Sequence, residues 1–198
     1  MQRSVHLLLL IVIGAGIVLR FFSVGWNIIP HGDITLDANA AETMYLQGDF
    51  HLRDDSSLPF ADQYLIQHPP IWALLGAGAM YILPVDAFTA LKIISLVCGI
   101  LILPMMYRVS RYILKKNESL FLVSLLAISW LMIDFSGNGA LYSLHALLFL
   151  IWIDCAMRQS PYKALSLAAI SAIAYLTNYQ TIVLIPASVL LLILEKKN

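Results

Sequence analysis

Charge is what this chain of 198 residues has least of: charged side chains make up 12% of it, against about a quarter in soluble domains. Twelve Lys and Arg balance twelve Asp and Glu, so the formal net charge is zero. The basic face that nucleic-acid binding needs is therefore missing. Cysteine is nearly absent too. Cys98 and Cys155 each sit inside an apolar run and read as small packing residues rather than a disulfide or a metal pair. There is no zinc-ligand spacing, no P-loop, no dinucleotide-binding glycine pattern, no internal repeat and no low-complexity tract. What remains is apolar: hydrophobic residues are 60% of the chain and the mean hydropathy is +0.81.

These properties point to an all-α membrane protein. Residues 5–26 are apolar apart from Arg20 and are long enough to cross roughly 30 Å of hydrocarbon. A cleaved signal peptide is the rival reading, but the run is long and no small-x-small cleavage site precedes the polar stretch that follows. Further apolar segments cover 87–107, 120–134, 140–157, 162–178 and 180–194, giving about six transmembrane helices in one membrane domain over 1–198. Orientation follows from Lys and Arg. With the N-terminus cytoplasmic, the inner segments hold Arg3, Arg108, Arg111, Lys115, Lys116, Arg158, Lys163, Lys196 and Lys197, and the outer ones hold only Arg53. Both termini are then cytoplasmic. Asp154 and Arg158, four residues apart near the inner face, are expected to pair.

The same asymmetry settles the segment from Ile71 to Leu83. Thirteen helical residues cover about 20 Å, too little to cross. A crossing would also put the Arg108 to Lys116 cluster outside. Residues 27–86 thus form one long outer first loop carrying two juxtamembrane helices, near 36–47 and 70–83. Gly48 stops the first; Pro70 starts the second and Pro84 ends it. With Asp86 at its edge, this loop holds eight of the twelve acidic residues: Asp33, Asp37, Glu42, Asp49, Asp54, Asp55, Asp62 and Asp86.

Two readings of Asp33 stand side by side: a helix N-cap, or a general base at the membrane surface. Asp37, four residues on, shares its side if the helix begins early. Arg20, Lys92, Asp134 and His145 lie towards the outer ends of the spans, where ionisable groups are functional candidates. Arg20 and Lys92 can equally snorkel to the interface, and His145 can be a hydrogen-bonded packing residue. Cations and carboxylates converging at headgroup level suit a phosphate-bearing lipid substrate.

Several short motifs occur in order: Arg20 through Trp26, His31-Gly32-Asp33, Gly48-Asp49-Phe50 and His68-Pro69-Pro70-Ile71-Trp72. Together with 138–150 and Leu176-Thr177-Asn178-Tyr179 to Pro186, they resemble the GT-C superfamily of integral-membrane glycosyltransferases. The resemblance is to the branch of protein O-mannosyltransferases and aminoarabinose transferases. It implies transfer of a sugar from a polyprenyl-phosphate donor to a lipid, protein or glycan acceptor on the outer face of the membrane. The transfer would be inverting, with Asp33 as the base that deprotonates the acceptor hydroxyl. His68 would contact the phosphate, with Arg20, Asp37 and Lys92 as further substrate-binding candidates. A divalent metal held by Asp33, Asp37 and Asp49 is a further candidate. The acidic neighbour usual in the family is Ile34 here, which gives Asp37 its place as a substitute. Members are two to three times longer, so 1–198 corresponds to their N-terminal portion, with a second chain as one source of further helices. The implied location is the bacterial inner membrane. Two other readings compete with the enzyme: a non-catalytic or split-half subunit that binds the lipid or a partner, and a small transporter. The transporter lacks an inverted repeat.

Overall fold

The computed structural model describes residues 2–29, 32–49 and 69–195. It is all-helical, as the composition requires. In chain order the helices are α1 (Gln2–Trp26), α2 (Asp33–Gln47), α3 (Pro70–Ile82), α4 (Ala87–Ser110), α5 (Lys116–Ile128), α6 (Trp130–Gly137), α7 (Tyr142–Met157), α8 (Lys163–Thr177) and α9 (Leu184–Glu195). A 3₁₀ turn, Tyr179–Val183, leads into α9.

Among the described residues two helices are long and apolar enough to cross a membrane, His6–Trp26 and Ala87–Ser110. The segment expected as a single third span is broken: α5 and α6 meet at a bend of 57°. The expected count of six spans is not reached by length. At 1.5 Å per residue, α7 with 16 residues and α8 with 15 reach about 24 Å and 22 Å, short of the ~30 Å hydrocarbon layer.

Side-chain contacts nonetheless gather the helix termini at two ends of one bundle. At one end, His6 near the start of α1 lies 3.5 Å from Lys116 at the start of α5. Arg108 at the end of α4 pairs with Asp154 at the end of α7, and Lys163 at the start of α8 pairs with Glu195 at the end of α9. At the other end, Lys92 near the start of α4 reaches the end of α1, and His145 near the start of α7 meets Asn178 after α8. Both cysteines are free thiols, as expected.

The bundle closes through small residues, which let membrane helices approach each other. A Cβ at Gly137 would overlap Ser23 and the α1 backbone, and one at Gly99 would overlap Ser136. Gly137 and Ser136 therefore seat α6 between α1 and α4. Ser23 Oγ donates to Ile133 O at 2.8 Å across the first of these contacts.

Helix α3 begins with Pro70 in its first turn, as its sequence predicts. It is not a helix lying loose over the others. Trp72 and Ala73 are fully buried and Ala77 nearly so, and Gly76 abuts Ala41 of α2 and Leu91 of α4. Tyr81 packs against Tyr45 with the rings tilted by 58° and their centroids 4.7 Å apart, and donates its hydroxyl to Tyr45 O at 3.0 Å. Helix α2 starts three residues earlier than expected, at Asp33, and ends at Gly48 with φ +72°, the left-handed conformation that favours glycine.

Candidate functional site

Starting α2 at Asp33 decides what its acidic residues do. Gly32, not Asp33, is the N-cap, and no side chain caps the helix. Asp33 is the first helical residue, where the helix dipole favours a negative charge. Asp37 then follows one turn later on the same side. Both line a cleft of about 300 Å³ together with Asp134, Asn138 and Tyr142. Asp33 is exposed and Asp37 buried, at 3% exposure.

The opposite wall is the connection from α6 to α7. Gly139 has φ +83°, a conformation costly for other residues, and lies among the four residues, 138–141, that join α6 to α7. The turn is fastened from outside. Trp72 Nε1 donates to Gly139 O at 3.3 Å, Ser95 Oγ to Ala140 O at 2.8 Å, and Ser143 Oγ to Phe135 O at 2.9 Å. The rings of Phe135 and Tyr142 lie 4.7 Å apart and form the cleft's aromatic face.

Asp134 is held by two amides. Asn27 Nδ2 donates to its Oδ1 and Asn138 Nδ2 to its Oδ2, each at 3.3 Å. Asn138 in turn accepts from Ala140 N at 2.9 Å. Asn27 also donates to Ser23 O at 3.0 Å, so this amide links α1 to a carboxylate in the cleft.

Lys92 and Arg20 are engaged elsewhere. Lys92 Nζ donates to Val24 O at 2.6 Å and Asn27 O at 2.5 Å, closing the C-terminal end of α1 as cations do; it also lies over the Phe88 ring, 5.1 Å from its centroid. Arg20 is fully buried. Its guanidinium donates to Gly16 O at 3.0 Å, Ala127 O at 3.2 Å and Leu126 O at 3.3 Å. It thus supports the carbonyls at the end of α5, where Leu126 O also accepts from Ser129 N at 3.4 Å and the bend to α6 interrupts the helical ladder. The geometry gives both cations a helix-end role. Neither lines the cleft, and no described residue lining it is cationic.

His68 lies outside the described residues. The expected trio of Asp33, Asp37 and Asp49 is not gathered. Asp49 lies beyond the far end of α2, whose fifteen residues separate it from Asp33 by roughly 20 Å. Among the described residues no group of three acidic, His or Cys side chains could hold a metal ion. His145 makes a 3.3 Å contact with Asn178, which fits its packing reading.

Asn27, Asn138 and Tyr142 were not singled out from sequence. The available signal was local: Asn138 follows Asp134 by one helical turn, and the glycine after it marks a reversal.

The family model for dolichyl-phosphate-mannose-protein mannosyltransferases matches residues 67–198. No curated protein matches the chain, and no solved structure does.

Proposed function

The chain belongs to the dolichyl-phosphate-mannose-protein mannosyltransferase family, and from that premise we propose that it transfers a sugar from a polyprenyl-phosphate donor to an acceptor hydroxyl, with Asp33 as the base. The supporting observation is the cleft itself. It places an exposed carboxylate, Asp33, beside a buried one, Asp37, and across from Asp134. Carboxylates and side-chain amides accept from and donate to hydroxyl groups, whereas a phosphate would be repelled by three acidic residues at close range.

The division of labour follows from that chemistry. The cleft takes the sugar and the acceptor hydroxyl, and the lipid phosphate stays outside it, with His68 as its contact. Asp33 removes the hydroxyl proton as the acceptor oxygen attacks the anomeric carbon. The bond from that carbon to the phosphate oxygen breaks, and the lipid phosphate leaves with the bonding pair. Attack from the side opposite the leaving group inverts the anomeric centre. Asp37 and Asp134 orient sugar hydroxyls, and the Phe135–Tyr142 face packs against the ring. The cleft opens on the outer side of the membrane and the arginine-rich end of the bundle is cytoplasmic, in keeping with the positive-inside rule.

The test is transfer from radiolabelled dolichyl-phosphate mannose in membranes containing the full chain. Asp33→Asn keeps the size and removes the base, so the rate falls by about 10²-fold or more with unchanged chain abundance. Undiminished transfer by Asp33→Asn removes Asp33 from the mechanism.

A further inference from the structure

At the end of the bundle away from the cleft, one carboxylate holds two arginines. Asp154 is buried, at 3% exposure. Its Oδ1 accepts from Arg108 Nε at 2.8 Å and from the Tyr112 hydroxyl at 2.9 Å, and its Oδ2 pairs with Arg158 Nη2. The two guanidinium groups come from the ends of different helices, α4 and α7, and are fixed close together by the shared anion. Each remains about half exposed, 53% for Arg108 and 46% for Arg158, and the edges not facing Asp154 keep donors to spare.

Two cations on one anion leave a charge of +1 at this place, and the neighbouring acidic groups do not neutralise it. Glu118 accepts from Lys115 N at 2.8 Å in the cap of α5, and Glu195 is paired with Lys163. Arg111, Lys115 and Lys116 add further positive charge. Apolar side chains are exposed beside the pair: Ile113 and Met157, flanking the two arginine-bearing helix ends, are 78% and 43% exposed. A small free anion would leave that apolar rim uncovered, while a ligand with an anionic head and an apolar body would satisfy both parts.

We infer that Arg108 and Arg158, braced by Asp154, form a seat for the phosphodiester headgroup of an anionic phospholipid, whose acyl chains cover the adjoining apolar rim. Forked guanidinium donors match phosphate oxygens in geometry and charge, and basic pockets between membrane helices on the cytoplasmic side are suited to such headgroups. This seat is independent of the transfer reaction at the opposite end.

The experiment uses the full chain purified in a mild non-ionic detergent, with native mass spectrometry for bound lipid and thermal unfolding as a second readout. Phosphatidylglycerol, phosphatidylcholine and inorganic phosphate are titrated separately. Phosphatidylglycerol is expected to bind as a discrete adduct and raise the melting temperature, with phosphatidylcholine and inorganic phosphate having little effect. Arg108→Gln and Arg158→Gln, tested singly, each leave Asp154 one guanidinium and the Tyr112 hydroxyl. Each is expected to weaken phosphatidylglycerol binding by roughly tenfold. Arg158→Lys keeps the charge without the fork and should lose most of the same increment. Four results overturn the seat: no response to phosphatidylglycerol, an equal response to phosphatidylcholine, an equal response to inorganic phosphate, or full binding by both glutamine variants. It is equally overturned if Arg111→Gln/Lys115→Gln/Lys116→Gln abolishes binding as completely, because diffuse charge would then account for it.

Discussion

Arg20 and Lys92 show how a buried cation can serve a protein by holding helix ends. Arg20 holds the end of α5 from within α1, and removing it takes the side-chain donor from Ala127 O and leaves Leu126 O only the 3.4 Å bond from Ser129 N. Arg20→Met is expected to cost about 3 kcal/mol of stability, read as a lowered midpoint of thermal unfolding in detergent. A phosphate contact would instead raise the KM for the donor and leave stability unchanged. At the cleft, Asn27 orients Asp134 through one amide, so Asn27→Ala should lower kcat by ten- to a hundredfold with little change in donor KM, the pattern of a misplaced group. Asp33 and Asp37 were legible because their spacing is one helical turn. The engagement of Arg20 with α5 was not, since Leu126 and Ala127 lie more than a hundred residues away along the chain, and nothing local points to them.

Among the elements, the helix starts and stops marked by proline and glycine could be read from sequence: Pro70 begins α3 and Gly48 ends α2. The break between α5 and α6 could not. Ile128-Ser129-Trp130 contains neither proline nor glycine, and hydropathy runs straight through it. The bend depends on tertiary partners: Arg20 takes the carbonyls on one side, and Trp26 stacks on Trp130 at 5.4 Å on the other. Gly137 then lets α6 lie against α1. Gly137→Val should force the two apart and cost roughly 1–3 kcal/mol, seen as heat lability and a parallel loss of transfer.

The start of α4 offers a pH-dependent test. Asp86 caps it, accepting from Thr89 N at 3.0 Å and from the Thr89 hydroxyl at 2.6 Å. Partial burial works against its charge, but the Thr89 hydroxyl and amide, with the nearby backbone amides, outweigh that and hold the carboxyl below its usual value. A depressed folded value means the stabilisation is present above the ordinary carboxylate range and is lost as pH falls through it. Asp86→Ala should therefore cost about 1 kcal/mol at neutral pH, and the difference from wild type should vanish in acid, as followed by thermal unfolding across a pH series.

For the whole molecule, the two ends of the bundle differ in kind, acidic at the cleft and arginine-rich at the other. This separation was legible from the distribution of Lys and Arg alone. The number of full crossings was not, because α7 and α8 are too short to span by themselves and their depth is set by packing. With Cys98 and Cys155 replaced by alanine, a single Thr35→Cys should react with a membrane-impermeant maleimide in intact cells. A single Gln159→Cys, at the Arg158 end, should react only after permeabilisation. Equal reactivity would refute the orientation.

The long reach of Arg20 has a consequence for how the protein is made. When α1 first enters the membrane, the stretch that will supply Leu126 and Ala127 has not yet been synthesised. Within α1 itself the guanidinium of Arg20 reaches one carbonyl, Gly16 O, so the cost of holding its charge at membrane depth is met only in part until α5 is present. The carbonyls of Leu126 and Ala127 complete that satisfaction in the finished bundle, so chains halted before residue 126 should leave α1 more readily extracted by alkali than longer ones.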